Sequence, residues 1–323
     1  MNSISDILNQ FETKRVLIIG DAMIDAYMWG AINRMSPEAP VPIVEIEKRE
    51  SRLGGAANVA INIQSLGATP ILFAAIGKDY QGDLFLNLMK EQNLSCEGIQ
   101  KINNRATTVK TRIISDNKHV LRFDEERTDL IDDEKLSNQL EEMILVNDFD
   151  VIIFEDYNKG LLSEKLIQKA IKAAQQKGTP TIVDPKKENF LAYTGVDIFK
   201  PNLKEIKEGL KVEFDVLSES ELSQNVEILR TKLGAKGILL TLSEHGIYFQ
   251  NSSNTYREQA HKRNITDVSG AGDTVVSVAA LALACDLENE YMMRIANLAG
   301  GLVCEKVGVV PIKKQDLLEA SKK

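Results

Sequence analysis

Short β-branched runs that alternate with helical patterns constrain the fold of this chain more than any other feature. The runs end near turn residues or acids and lie at residues 16–21, 151–156, 181–185 and 237–242. Helical patterns separate them, for example at residues 161–177 and 221–233. This alternation predicts an α/β fold with a mostly parallel central sheet covered by helices on both faces. Ligand groups then belong at the carboxyl ends of the strands. Four polar residues fall at such ends: Asp21, Asp156, Asp184 and Ser243.

Two segments break the alternation and predict a small second sheet. Residues 27–50 contain Pro37, Pro40 and Pro42, which favour extended chain over helix. Residues 106–124 alternate apolar and polar side chains, as a half-exposed strand does. We expect one domain over residues 1–323, with these segments inserted as a lid that excludes water from a reaction. An ordinary antiparallel edge or a dimer contact is the alternative.

The run Asp-Val-Ser-Gly-Ala-Gly-Asp-Thr at residues 267–274 indicates an anion-binding site. Gly270, Ala271 and Gly272 leave backbone N–H groups uncovered at a predicted helix N-terminus, where unpaired donors and the helix dipole favour a phosphate. Asp273 then lies where it could take a proton from a hydroxyl that attacks this phosphate. The alternative is an ordinary helix start before the apolar run 275–284.

A second run of small residues, Gly54 and Gly55 followed by Asn58, allows a substrate to approach the backbone and offers it an amide. Asp21 and Asp25 follow the first strand and could both accept hydrogen bonds from a polyol. The alternatives are that the glycines serve tight helix packing and that the acids, which follow a strand end, are caps or solvated charges.

Asn202 and Glu205 stand three residues apart at a predicted helix start, the spacing of a capping box. They could also orient hydrated magnesium near nucleotide phosphates. Six cations lie in or beside the predicted lid and strand ends and could form a local pocket for a substrate phosphate. These are Arg34, Lys110, Arg112, Arg122, Lys159 and Lys186.

The composition excludes several classes of protein. A net charge of −8 and a pI of 5.2 argue against a nucleic-acid binder or an anionic-membrane binder that relies on a global positive field. No run reaches the ~20 apolar residues of a membrane span. The three cysteines are scattered and lack metal-ligand spacing, which predicts a reduced, cytoplasmic location.

Residues 54–60 with Gly67 and Gly77 resemble the first signature of the PfkB, or ribokinase-like, carbohydrate kinases, and residues 267–274 resemble the second. The family usually has Thr where this chain has Val268 or Ser269. The resemblance covers essentially the whole chain. It implies a ribokinase-like fold and ATP-dependent phosphorylation of a sugar, with Asp273 as the general base and an anion hole formed by Gly270, Ala271 and Gly272.

The resemblance also implies binding roles. Sugar-binding residues would be Asp21, Asp25, Gly54, Gly55 and Asn58, with Arg112, Arg122 and Lys186 on a substrate phosphate. Asn202 and Glu205 would act through Mg²⁺ and phosphate, Glu205 by way of water. The nucleotide site would include Gly272, Ser243, Gly246 and Asn297. Some members need a monovalent cation such as K⁺, and the lid often forms a homodimer interface.

Four further runs, at residues 20–25, 34–42, 156–160 and 184–186, resemble the family members that phosphorylate C1 of D-glycero-β-D-manno-heptose 7-phosphate in ADP-heptose and lipopolysaccharide core synthesis. In many bacteria that kinase is fused to an adenylyltransferase. This chain has no His-x-x-His nucleotidyltransferase motif, so we expect a stand-alone kinase. The alternatives are a kinase for another sugar, such as fructose, ribose or a ketose phosphate, and a non-catalytic sugar- or nucleotide-binding protein on the same fold.

Overall fold

The strands and helices alternate along the chain in the computed structural model, which describes residues 4–116, 118–131, 133–260, 265–306 and 308–321. The strands are β1 (Arg15–Gly20), β2 (Ala22–Met35), β3 (Pro42–Gly55), β4 (Thr69–Gly77), β5 (Ile99–Ile102), β6 (Val109–Ser115), β7 (Lys118–Glu125), β8 (Val151–Glu155), β9 (Thr181–Asp184), β10 (Ile198–Phe199), β11 (Gly237–Thr241), β12 (Ile247–Asn251) and β13 (Thr255–Glu258). The helices are α1 (Ile4–Phe11), α2 (Ala56–Ser65), α3 (Tyr80–Glu91), α4 (Glu134–Val146), α5 (Glu164–Lys177), α6 (Leu203–Leu210), α7 (Glu219–Leu233), α8 (Ala271–Ala284), α9 (Asn289–Val303) and α10 (Lys314–Ala320).

The central sheet has the strand order β13-β12-β11-β10-β9-β8-β1-β4-β5. Neighbouring strands from β11 to β5 pair in parallel, and β12 and β13 add an antiparallel edge. This arrangement confirms the predicted α/β fold with a mostly parallel sheet. The parallel strands end at one edge of the sheet, so the residues that follow them meet there.

Strand β1 shows how the sheet is covered on both sides. Val16 and Ile18 pack into one hydrophobic core, which contains residues of α1, α2, α8 and α9. Leu17 and Ile19 pack into a second core with residues of α4, α5 and α7. All four side chains are buried, because successive residues of a strand face opposite sides and each side is covered by helices.

Two helices begin at different residues from those expected. The helix predicted from residue 161 begins at Glu164, because the Ser163 side chain accepts a hydrogen bond from the N–H of Leu166 and caps it. The helix predicted from residue 221 begins at Glu219, after a similar cap by Ser218. Within the described ranges, no helix combines the length and the apolar character that crossing a bilayer requires.

A smaller sheet with the order β3-β2-β6-β7 contains the two segments that break the alternation, residue 117 lying outside the described residues. The start of β2 and the end of β3 are buried, whereas residues 33–35 at the far end of β2 are exposed. This small sheet positions several predicted sugar-binding residues: Asp25 on β2, Gly54 and Gly55 on β3, Arg112 on β6 and Arg122 on β7.

Candidate active site

The N-terminus of α8 forms the centre of the site. Gly270 precedes the helix with φ 79°, a left-handed conformation that glycine adopts without strain. The N–H of Ala271 donates weakly to Val268 O at 3.3 Å. The N–H groups of Gly272 and Asp273 have no hydrogen-bond partner in the described part of the chain. The open donors therefore include the amide of Asp273, which the sequence analysis left out, while that of Ala271 is partly engaged.

Two side chains from distant parts of the chain hold the Asp273 carboxylate. Asn58 Nδ2, on α2, donates to Oδ2 at 2.6 Å, and the Tyr157 hydroxyl donates to Oδ1 at 2.9 Å. Burial raises the pKa of Asp273, a shift that these two donors oppose and the negative charge of Asp184 increases. The result is a buried carboxylate with fixed orientation beside two open backbone amides, as a general base for an attacking hydroxyl requires.

Tyr157, which the sequence analysis did not select, lies in the loop after β8. Its ring packs against two ammonium groups, with Lys186 Nζ 4.7 Å and Lys110 Nζ 5.5 Å from the ring centroid. Burial raises the pKa of Tyr157 well above its usual value, so the hydroxyl keeps its proton at neutral pH. It therefore serves as a hydrogen-bond donor to Asp273.

Three buried carboxylates meet under the first turn of α8. Candidate ligand oxygens of Glu155, Asp184 and Asp273 lie within 4.8 Å of one another. Lys200 Nζ contacts Asp184 Oδ2 at 2.9 Å. Burial, with the nearby charges of Asp184 and Asp273, raises the pKa of Glu155 well above its usual value. Oxygen-only donors of this kind are what a hard divalent cation prefers.

The sequence analysis noted Asp184 as a strand-end acid but missed Glu155 and Lys200. Glu155 is the last residue of β8 and pairs in register with Asp184 on β9, while Lys200 directly follows β10. The signal that could have identified them is their position at strand ends, the same signal that pointed to Asp184.

A cavity of about 530 Å³ opens from Asp273 along the strand ends. Its walls contain Lys186 and every residue predicted for the nucleotide site: Asn202, Glu205, Ser243, Gly246, Gly272 and Asn297. Gly270 and Ala271 also line it. The tertiary structure thus gathers these residues, which are spread over more than 100 positions of the sequence, around one space.

Asn202 and Glu205 form the capping box expected from their spacing. Asn202 Oδ1 accepts from the N–H of Glu205 at 2.9 Å, and Glu205 Oε2 accepts from the N–H of Asn202 at 2.8 Å. The other carboxylate oxygen of Glu205 lies 3.6 Å from Lys186 Nζ. Both residues also line the cavity, so the cap and a contact with a ligand are compatible.

On the other side of Asp273, the small sheet presents Asp25. Its Oδ1 accepts from Arg112 Nη1 at 2.5 Å. Gly54 is packed so closely that a Cβ there would lie 2.3 Å from Asp25 Oδ2. Gly55 has φ 58°, and a Cβ on it would lie 2.4 Å from Asp21 O. The two glycines therefore let the backbone pass beside the acids.

The structure does not favour direct contact of Asp21 with a sugar. Oδ2 accepts from the N–H groups of Tyr157 and Lys159, and Oδ1 accepts from that of Leu161. Burial, together with the charge of Asp156, raises the pKa of Asp21 from 3.8 to about 6 despite these bonds. These bonds make Asp21 the anchor of the loop that carries Tyr157, and its contact with a sugar stays a prediction.

Arg122 is also engaged elsewhere, in a two-point ion pair with Asp124 on exposed β7. Lys110 lies deeper in the site, and its pKa is lowered by burial and by the positive charges of Lys159 and Arg122. Lys110, Arg112 and Lys159 are partly buried on this side. All three belong to the six cations of the predicted phosphate pocket, and the family resemblance singled out only Arg112 among them.

Comparisons with known proteins show the family of this chain. A family model described as "pfkB family carbohydrate kinase" matches residues 13–315. "Bifunctional protein HldE" from Desulfatibacillum aliphaticivorans is 36% identical over 315 residues, which are 95% of this chain and 63% of that protein. The protein of the same name from Aliarcobacter butzleri is 37% identical over 307 residues, 94% of this chain and 63% of the relative. The chain thus spans less than two thirds of the length of these relatives.

Solved structures share the fold. Phosphofructokinase-2 from Escherichia coli in complex with potassium superposes with a TM-score of 0.79 at 20% identity, covering 96% of this chain and 99% of that one. Arabidopsis thaliana ribokinase complexed with ribose and ATP gives a TM-score of 0.72 at 18% identity, covering 96% and 99%. At these identities the likeness concerns the fold.

Proposed function

The chain belongs to the pfkB family of carbohydrate kinases, and we propose that it transfers the γ-phosphate of ATP to C1 of D-glycero-β-D-manno-heptose 7-phosphate. The observation that carries the kinase activity is the Asp273 carboxylate, held by Asn58 and Tyr157 beside the open amides of α8. Identity of about 36% to several proteins named HldE, over more than nine tenths of this chain, supports the heptose phosphate over other sugars. The product would serve ADP-heptose and lipopolysaccharide core synthesis.

The reaction needs one proton transfer and compensation of charge. The C1 hydroxyl attacks the γ-phosphorus, its proton passes to Asp273, and the bond from the γ-phosphorus to the bridging oxygen breaks to release ADP. The N–H groups of Gly272 and Asp273 face the transferred phosphate and offset the charge on its oxygens. Asn58 and Tyr157 hold the carboxylate in line with the hydroxyl.

The cavity suits magnesium nucleotide. Its wall carries Glu205 and Asp184 as oxygen donors, with Lys186 and Lys200 as cations for phosphate. Glu205 would hold Mg²⁺ through water, and Mg²⁺ bound with ATP would shield the negative charge of the phosphates. Ser243, Gly246 and Asn297 would contact the nucleoside. We also propose K⁺ as a further cofactor, because the resemblance implies that some family members need a monovalent cation.

The side of Asp273 that faces the small sheet, opposite the nucleotide cavity, suits a sugar phosphate. Asp25 and Asn58 would bind hydroxyls, and Gly54 and Gly55 would let the sugar approach the backbone. The cations Lys110, Arg112 and Lys159 would bind the 7-phosphate, with charge-assisted hydrogen bonds. Their burial supports binding of a phosphorylated sugar rather than a neutral one.

The small sheet would act as a lid and as a homodimer interface within a single kinase domain. Its residues Met35, Leu121 and Phe123 are exposed to 56%, 55% and 41%, and they offer apolar side chains that a second copy would bury. Sedimentation of the purified protein tests the dimer. The free thiols of Cys96, Cys285 and Cys304 support a cytoplasmic location.

The test of function is ADP release with ATP and Mg²⁺, with and without K⁺, across five acceptors. These are D-glycero-D-manno-heptose 7-phosphate, sedoheptulose 7-phosphate, fructose, fructose 6-phosphate and ribose. We expect selectivity for the aldoheptose phosphate and a loss of ~10²-fold or more in turnover in Asp273→Asn, with nucleotide binding retained. Preference for another sugar would support the kinase activity and refute the assignment of the heptose phosphate as substrate. If no acceptor leads to ADP release and the protein still binds nucleotide, the result would favour a non-catalytic binding protein.

A further inference from the structure

Arg105 is a buried arginine outside the candidate active site, and its guanidinium contacts three backbone carbonyls. It lies between β5 and β6, and its side chain is 8% exposed. Nη1 donates to Asp129 O at 3.1 Å, while Nη2 donates to Arg127 O at 3.3 Å and to Lys159 O. Arginine has five donors in one fixed plane, so a single side chain can join several loops in a defined arrangement.

The three carbonyls belong to two different segments. Residues 126–131 follow β7 and lead the chain out of the small sheet, whereas residues 156–161 form the loop that carries Tyr157. Arg105 itself leads into β6. The guanidinium therefore joins both ends of the β6–β7 hairpin to the Tyr157 loop. The N–H of Ile131 donates to Gly160 O at 2.8 Å and reinforces the same junction.

The backbone of Lys159, in this loop, is held from two sides. Its N–H donates to Asp21 Oδ2 at 2.9 Å, and its carbonyl accepts from Arg105. Burial lowers the pKa of Arg105, and the negative charges of Asp129 and Asp21 oppose this shift. A carboxylate and a guanidinium thus interact across the loop and hold one residue between them.

The loop has a backbone conformation that depends on such contacts. Asn158 has φ 55° and Gly160 has φ 91°, so two left-handed residues stand two positions apart. A left-handed residue other than glycine is disfavoured unless its surroundings hold it there. A Cβ on Gly160 would lie 2.7 Å from Arg105 Nη2, so glycine is what lets the guanidinium approach the loop.

We propose that Arg105 is a positioning residue for phosphoryl transfer, an inference that rests on the proposed function. By holding the carbonyl of Lys159, it keeps the loop where the Tyr157 hydroxyl donates to Asp273. The same bond places the Lys159 side chain, one of the cations proposed for the sugar phosphate. Because the guanidinium also holds the segment after β7, the small sheet and the loop that orients the base keep one arrangement.

The test variant is Arg105→Lys, which keeps the positive charge but has a compact ammonium that cannot join three carbonyls in one plane. The matched control is Arg127→Lys. Arg127 belongs to the same junction, where it donates to Asn104 O at 2.9 Å and to the Asp129 carboxylate. Within the described ranges, its side chain makes no hydrogen bond to the Tyr157 loop, so this control disturbs the junction without releasing the loop.

Steady-state ADP release gives the first readout. In Arg105→Lys, kcat should fall about tenfold or more, the scale of one hydrogen bond to a charged group, while the KM for ATP keeps its wild-type value. Arg127→Lys should keep the wild-type kcat. When Tyr157→Phe is already present, adding Arg105→Lys should lower kcat by about twofold at most, because both changes remove the same support from Asp273.

Hydrogen exchange supplies a second readout, which needs no acceptor. Three N–H groups of the loop donate to Asp21, and mass spectrometry of a peptide that spans residues 156–161 follows their exchange with deuterium. Exchange should be about tenfold faster in Arg105→Lys than in the wild type, because local opening becomes easier where an anchor is lost. Arg127→Lys should exchange as the wild type does.

Three results would overturn the proposal. They are a wild-type kcat in folded Arg105→Lys, a loss in the double variant that equals the product of the two single losses, and unchanged exchange of the loop. Should Arg105→Lys not fold, Arg105→Gln takes its place, because its amide also cannot join three carbonyls. If the sugar kinase assay succeeds while Arg105→Lys keeps the wild-type kcat, the proposed function stands and the positioning role is refuted.

Discussion

Replacement of Tyr157 by Phe isolates one hydrogen bond to the proposed catalytic base. The Tyr157 hydroxyl donates to Asp273 Oδ1 at 2.9 Å, and the ring packs against Lys186 and Lys110. Phe keeps the ring and these contacts. Asn58 still donates to the other oxygen of Asp273, so the carboxylate loses one of two supports.

The expected loss follows from the energy of a hydrogen bond to a charged group, which is about 1.5–3 kcal/mol. If the transition state needs the orientation that this bond provides, kcat/KM should fall about 10- to 100-fold. The bond also lowers the pKa of Asp273, so its removal should raise that pKa. Because the base must be ionised to accept a proton, the acid limb of the pH–rate profile should move to higher pH.

The assay is steady-state ADP release between pH 5 and 9, with the acceptor that the wild type prefers. The matched control is Tyr193→Phe, which removes a buried tyrosine hydroxyl that donates to Asp156 Oδ2 at 2.7 Å. Both variants lose a hydrogen bond to a buried acid and should lose similar amounts of unfolding free energy. Only Tyr157→Phe should lose rate and shift the acid limb.

A wild-type kcat/KM with an unmoved acid limb in Tyr157→Phe would refute the reasoning. Equal losses of rate in the two variants would also refute it, because they would trace the effect to general loosening of the structure. A rate loss without a shift of the acid limb would mean that Tyr157 orients Asp273 but does not change its pKa.

Two further predictions concern the acids near the small sheet. The pKa of Asp21 is raised from 3.8 to about 6, so the folded chain holds this proton more tightly than the unfolded chain and stability should fall by about 3 kcal/mol as pH rises from 4 to above 6. Urea unfolding at pH 4.5, 5.5 and 7.5 should show that Asp21→Asn lacks this component, and an identical pH slope in both proteins would contradict it. Gly54→Ala places a Cβ 2.3 Å from Asp25 Oδ2, so the KM for the sugar phosphate should rise several-fold while that for ATP is unchanged. Parallel changes in both KM values would argue against a sugar-side role for Asp25.

Much of the fold was readable from local patterns. The four β-branched runs lie in strands of the central sheet, and the Pro-rich and alternating segments lie in the small sheet. Strand and helix periodicity reflect which side of an element is buried, a property that neighbouring residues encode. Helix starts were less accurate, because the caps Ser163 and Ser218 were not recognised as boundaries.

The part of the candidate site that the sequence predicted is the part whose functional groups come from one short motif. Gly270 to Asp273 belong to a single helix start, so their sequence alone indicates open amides beside a carboxylate. Glu155, Tyr157 and Lys200 were missed because each is a single residue whose neighbours come from elsewhere in the chain.

The sequence by itself determined the alternation of strands and helices, the open amides at the start of α8 and the acidic character of the chain. Only the tertiary structure decided that β10, β9, β8 and β1 are neighbours, and therefore that Glu155, Asp184 and Asp273 share one buried space. It also decided that the Asp21 carboxylate accepts hydrogen bonds from a loop that lies 136 to 140 residues away in the sequence. The physical reason is that periodicity specifies local conformation and burial, whereas the lateral order of strands depends on packing between distant segments.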